Sequence, residues 1–186
     1  MPKSAAGRRE ALASRNGDVR VWDPVVRLFH WGLVACCVIN LFLLPPGKSV
    51  HRYVGYAAMA LIALRFVWGF VGTRHARFAD FVRGPSAVAS YLFAFAAGRA
   101  ERHVGHNPAA GWVMILLMVL LAAVGTSGWL TTLDAFWGNK ALGETHELLA
   151  KSLMIVAGLH ASAAVVESWH LKENLIWSMV TGRKKG

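Results

Sequence analysis

The chain has 186 residues, a length suited to one domain. Hydrophobic residues make up 55% of it; with glycine counted in place of tyrosine the share is roughly 63%, against ~45–50% in soluble domains, and charged residues fall to 16% against ~25%. A disordered chain is excluded and an ordinary soluble globule disfavoured, while the net charge of +10 leaves a basic nucleic-acid surface or a membrane topology to explain it.

The apolar excess is gathered in four blocks. Each is long enough to cross a hydrocarbon core ~30 Å thick, which takes about 20 residues of helix. Residues 28–44 carry no charge; Asp23-Pro24 reads as N-cap and first helical position, and Pro45-Pro46 stops the run. Residues 53–72 are interrupted only by Arg65. After Gly84-Pro85, residues 86–97 predict a short interfacial helix. Residues 109–130, opened by Asn107-Pro108, are again uncharged, and residues 148–166 hold Lys151 and His160. Residues 171–180 place Leu171, Leu175, Ile176 and Met179 on one face beside Lys172 and Glu173, the pattern of a helix lying along a membrane surface. The fold class expected is all-α: an integral membrane four-helix bundle with short interfacial helices.

Four crossings put both termini on one side. The tail up to Arg27, the 73–109 connection and the tail from Glu167 hold 15 of the 20 lysines and arginines, whereas the opposite loops hold only Lys48, Arg52 and Lys140. Basic loops stay inside, so both termini are expected to be cytoplasmic. Topology then accounts for the net charge, and no nucleic-acid partner is expected. All eight tryptophans fall near predicted interfaces, as in an aromatic belt. No cleavable signal peptide is apparent, and Arg8-Arg9 lacks the adjoining apolar region of a twin-arginine signal. Residues 1–20 are expected to be a flexible cytoplasmic tail, and residues 21–186 a single membrane domain. Cys36 and Cys37 are adjacent and read as packing residues; no C-x-x-C-H is present, so no c-type haem is attached.

Eight histidines are present, and four of them, His30, His51, His146 and His160, lie in or at the edge of the spans. An ionisable group at membrane depth is costly and marks a functional position, although one alone is also satisfied by a hydrogen bond to a neighbouring helix. Their spacing says more. His146 and His160 are 14 residues apart on one helix, a rise of about 21 Å and nearly four whole turns, so both face the same way. His30 falls near the inner edge and His51 at the outer edge. Depth then pairs His30 with His160 and His51 with His146, two bis-imidazole sites stacked across the membrane. Such sites suit b-type haem, whose porphyrin needs an apolar slot and whose iron takes one neutral imidazole nitrogen from each side. Gly55 and Gly69 on the His51 face, and Ala150, Ala157 and Ala164 on the His146 face, leave room for it, although small residues also serve plain helix contacts. Zinc is the competing metal, but a tetrahedral site wants its ligands at one depth, and these pairs lie about 21 Å apart.

Arg65 lies 14 residues after His51, on the same face and at the depth of the inner pair. It either meets a haem propionate or a quinone, or snorkels to the cytoplasmic headgroups. Arg27, three residues before His30, and Arg52, beside His51, are further propionate candidates. His75, His103, His106 and His170 fall in connections at the basic face and read as solvated or headgroup histidines. Of these, His106 in Gly-His-Asn-Pro sits just before the third span, on the side of the inner pair.

Taken together, VWDPVVRLFHW (21–31), HRYVGYAAMALIALRFVWGFVGTRHARFADFVRGP (51–85), GHNPAAGW (105–112), THELLA (145–150) with LH (159–160), and HLKENLIWSMVTGRKK (170–185) resemble the prokaryotic cytochrome b561 family. That family includes the cytochrome b subunits of nickel-iron hydrogenases and the gamma subunit of formate dehydrogenase. The resemblance runs from about residue 19 to 185. It implies a four-helix bundle of the bacterial inner membrane that holds two haem b groups and exchanges electrons with quinone. The family's four ligand histidines fall on His30, His51, His146 and His160. Larger relatives carry extra helices or anchor a catalytic subunit; this chain shows neither an iron–sulfur motif nor a soluble catalytic domain, so its redox partner is expected to be a separate protein.

Three functions compete. The first is transmembrane electron transfer between the quinone pool and a periplasmic partner, a c-type cytochrome or an oxidoreductase. The second is a stand-alone quinone reductase acting on a small reactant such as superoxide. The third is a membrane anchor subunit whose haems are structural. No nucleophile, acid–base pair or Gly-rich phosphate loop is visible, so no catalytic residue is assigned.

Overall fold

The computed structural model describes residues 17–99, 102–103 and 105–185. Residues 1–16, most of the expected tail, lie outside that range. In chain order the elements are β1 (Asp18–Arg20), α1 (Pro24–Val38), α2 (Ser49–Val71), α3 (Phe78–Phe81), α4 (Pro85–Ala96), α5 (Pro108–Leu130), α6 (Lys140–Leu171), α7 (Leu175–Thr181) and β2 (Arg183–Lys185). Among the described residues, four helices are long and apolar enough to cross a membrane: α1 with its continuation to Leu43, α2, α5 and α6.

Helix starts follow the local chemistry. Asp23 accepts a hydrogen bond from the Val26 amide at 2.9 Å, and Pro24 fills the first helical position of α1. Asn107 and Asn139 cap α5 and α6 in the same way, from Ala110 and Leu142. The last turn of α1, Ile39–Leu43, widens to π geometry. α6 runs well past its apolar block on both sides. The charges there pair one turn apart, Lys140 with Glu144 and Glu147 with Lys151, so the helix continues where hydropathy fades. It ends at Lys172, which takes a left-handed conformation (φ 51°).

The four spans pack in sequence: α1 on α2, α2 on α5, and α5 on α6. α6 packs chiefly against α5, with few close backbone approaches to α1 or α2. Phe29, Ile62, Met118, Leu121 and Leu153 form the apolar core at mid-height. The outward faces expose Phe42, Phe66, Val67, Phe70 and Leu159, as a bundle solvated by lipid requires.

Both chain ends meet at one end of the bundle, called here the terminal end. β1 and β2 pair antiparallel, with Val19 opposite Lys184. The Gly182 carbonyl accepts from the amides of Val21 (2.9 Å) and Trp22 (3.1 Å), and Trp22 Nε1 donates to Ser178 Oγ at 3.3 Å. Gly182 has φ +81°, and a Cβ there would stand 2.6 Å from the Trp22 carbonyl oxygen, so the clasp needs glycine. A short two-stranded ribbon thus accompanies the helices, and its first strand, Asp18–Arg20, falls within residues 1–20 of the expected tail. Trp22, expected in an interfacial belt, is instead buried with Val21, Val26 and Ala76.

Candidate functional site

On α6, His146, Leu153, His160 and Glu167 recur every seven residues, two turns apart, on one face. Leu153 belongs to the central core, so this face points inward. The helix thus carries one histidine towards each end of the bundle, with an apolar plug between them.

At the far end, His51 in the first turn of α2 meets His146. Their ring centres are 6.3 Å apart and their planes lie at 77°. Two metal–imidazole bonds of about 2 Å, plus about 1 Å from each nitrogen to its ring centre, span about 6 Å, so one metal ion bound by both rings fits this spacing. His146 is anchored from behind. Its Nδ1 lies 3.1 Å from the Val124 carbonyl oxygen and 3.1 Å from Ser127 Oγ, while that hydroxyl donates to Val124 at 3.0 Å. An Nδ1 so engaged leaves Nε2 for a metal ion. His51 is held through its backbone: Asn40, in the π turn of α1, donates to its carbonyl at 3.1 Å. The His51 Nδ1 is buried without a partner among the described residues. Among those residues no three histidine, cysteine or carboxylate groups gather as a zinc site requires.

His30 on α1 and His160 on α6 lie towards the terminal end. His106 joins them. Its ring packs 4.7 Å from Trp22 and 5.1 Å from Phe81. Burial first, then the nearby Arg65, His160, Lys184 and His30, push its pKa down to about 3, so the ring is neutral. It is therefore not the headgroup histidine its place in a polar connection suggests. His75 is likewise engaged, with Asp80 at 3.3 Å.

Arg65 does not snorkel. It is 1% exposed, and its guanidinium carbon lies 5.8, 5.2 and 5.8 Å from the rings of Phe29, Phe78 and Phe81. Nη2 donates to the Ala76 carbonyl at 3.0 Å; Nε and Nη1 are buried without partners among the described residues, as is Arg27 Nε. Arg52 is exposed and donates to Ser49.

A polar layer closes this end. Glu167 accepts from Asn107 Nδ2 at 2.9 Å and from the Tyr91 hydroxyl at 3.2 Å. Burial and the Glu167 carboxylate raise the Tyr91 pKa above its ordinary value. Arg102 donates to Glu173 at 3.0 Å, and buried Lys184 donates to the His103 carbonyl at 3.0 Å. Asp23 ties α1 to α2 and the turn after it, accepting from Thr73 Oγ1 (2.6 Å) and Trp68 Nε1 (3.0 Å) besides its cap. Burial alone raises the pKa of its carboxyl; these hydrogen bonds outweigh that and hold it below the usual range. Its contribution to stability is therefore complete above the ordinary Asp range and is lost as pH falls through the depressed value. Asp23→Ala removes the cap and two further bonds, and is expected to cost about 2–4 kcal/mol, read as a lowered Tm in detergent at neutral pH.

Sequence reasoning missed Ser127, Val124 and Asn40, all of which act through the histidines they hold. None has a motif, and each reaches its histidine from another helix.

The profile of the prokaryotic cytochrome b561 family matches residues 21–182. A protein of Rhizobium leguminosarum bv. viciae named "Probable Ni/Fe-hydrogenase B-type cytochrome subunit" is 25% identical, over 97% of this chain and 94% of its own length. A protein of the same name from Rhodobacter capsulatus is 24% identical, over 95% of this chain and 86% of its own. No solved structure matches the chain significantly.

Proposed function

Because this chain belongs to the prokaryotic cytochrome b561 family, a group of b-type cytochromes in membrane helical bundles, we propose that it carries electrons across the bacterial inner membrane through two b haems, between the quinone pool of a respiratory chain and a separate redox protein. The observation that carries this reading is the far-end pair, two imidazoles on different helices whose centres stand 6.3 Å apart. His51 and His146 hold one haem, and His30 and His160 the other. Bound there, the haems supply reversible one-electron transfer.

The chain's own residues do the rest. Val124 and Ser127 fix which nitrogen His146 offers. Leu153 and the core around it keep water out of the space between the sites. The partnerless guanidinium nitrogens of Arg65 and Arg27 suit the propionates or a quinone oxygen at the terminal end, and Arg52 suits propionates at the far end. The excess of basic residues around the termini supports a cytoplasmic terminal end. The partner then docks at the periplasmic face. The names of the relatives favour an oxidoreductase of the hydrogenase kind over a c-type cytochrome as that partner.

The test is haem content per chain purified in mild detergent, with a reduced-minus-oxidised spectrum and reduction by a quinol analogue. Two low-spin b haems per chain, both reducible by quinol, are expected. No haem after expression with adequate haem supply overturns the reading. Haems that quinol cannot reduce point instead to an anchor subunit, and steady turnover with superoxide by the isolated chain to a stand-alone quinone reductase.

A further inference from the structure

We propose that Ser127, together with the Val124 carbonyl, is a positioning residue that sets the His146 imidazole nearly perpendicular to that of His51 and thereby fixes the electronic character of the haem they hold; the inference rests on the haem reading above. Val124, Ser127 and Gly128 stand at positions i, i+3 and i+4 of α5, on one face. All three act on the same ring. Val124 and Ser127 each present an oxygen 3.1 Å from His146 Nδ1. Gly128 has no Cβ, which would stand 2.8 Å from the ring carbon Cε1 and 3.2 Å from Nδ1. The ring is gripped at its nitrogen, and the missing Cβ of Gly128 leaves room for its edge, so it cannot turn about its Cβ–Cγ bond without losing both Nδ1 contacts. Against the His51 ring as it stands, that orientation gives 77° between the two planes.

Ser127 differs from the other serines of the spans. Ser152 and Ser162 spend their hydroxyls on the carbonyl four residues back within α6. Ser127 instead bonds the carbonyl three residues back, the same oxygen that His146 uses, and it is 6% exposed. Its lone pairs are therefore turned to the histidine and away from any solvent.

The plane of an axial imidazole decides which iron d orbital its π system meets. Parallel planes act on one orbital and split the pair; perpendicular planes act on both alike and leave them nearly equal in energy. A ferric low-spin haem of the second kind gives an electron paramagnetic resonance signal with a large maximal g value. The hydrogen bonds that Ser127 and Val124 make to the His146 Nδ1 are the lever that holds the ring there. At the terminal end the His30 Nδ1 has no such anchor among the described residues.

The oxidised full chain in detergent is examined by electron paramagnetic resonance, alongside Ser127→Ala, Ser127→Thr and His146→Ala. One strongly anisotropic signal is expected in the parent, and its loss in His146→Ala. Ser127→Ala is expected to move the maximal g value of that signal alone downwards, or to lose that haem alone, while Ser127→Thr, which keeps the hydroxyl, restores the parent spectrum. Ser127→Ala with both haems and an unchanged spectrum overturns the positioning role. An anisotropic signal that survives His146→Ala overturns the ligand assignment itself, and with it this inference, so the two failures are distinguishable.

Discussion

His51→Ala and His146→Ala are each expected to leave one haem, and the same one. The two rings face each other at the far end, 6.3 Å apart. On the proposed reading, removing either would leave a haem iron with one protein ligand in place of two. His30→Ala and His160→Ala are expected to leave the other haem. The measurement is haem content and the residual low-temperature difference spectrum of all four variants. Half the parent haem in every case, with spectra that match within each pair and differ between pairs, is the expected result. Clearly different residual haems in His51→Ala and His146→Ala sink the shared site, and full occupancy in His160→Ala sinks the pairing at the terminal end.

Gly128→Ala is expected to have nearly as large an effect without touching a ligand. The added methyl stands 2.8 Å from His146 Cε1, a distance that forces the ring to move, and the ring cannot retreat without leaving Val124 and Ser127. α5 and α6 share the most extensive helix–helix contact in the bundle, so backing the helices apart is costly as well. The far-end haem is expected to be lost or strongly perturbed while the other remains. Gly158→Ala is the control. It lies in the same helix as both α6 histidines, its Cβ meets nothing within 4 Å, and the change favours the helix by about 1 kcal/mol. If Gly128→Ala retains both haems with the parent spectrum, the His146 ring is not seated as described.

Much of this was legible in the residues. Asp23-Pro24 and Asn107-Pro108 announce helix starts because the cap and the missing amide act locally. The His146–His160 relation is legible because 14 residues on one helix allow only one outcome. What was not legible arises between distant segments. Arg65 within a span is compatible with snorkelling or with a cage, and the choice depends on Phe29 from α1 and Phe78 and Phe81 from α3 arriving around it. Ser127 sits 19 residues from the ring it holds. The strands DVR and RKK have no apolar alternation to reveal them; their pairing follows from where the bundle delivers the two ends.

The clasp between Trp22 and Gly182 bears on the order of assembly. α1 and α6 hardly touch, yet each carries one histidine of the terminal-end pair, and the strand ribbon with Trp31 Nε1 on the Met179 carbonyl is what ties their neighbourhoods together. During synthesis α1 is made early, whereas residues 179–184 are made last, after the sequence of every span. Until then the terminal-end pocket has a hinge on one side and no latch on the other. The far-end pocket, seated on the α5–α6 pair, is finished sooner. A ribosome that stops before residue 182 thus releases a bundle with one pocket complete and the other still ajar.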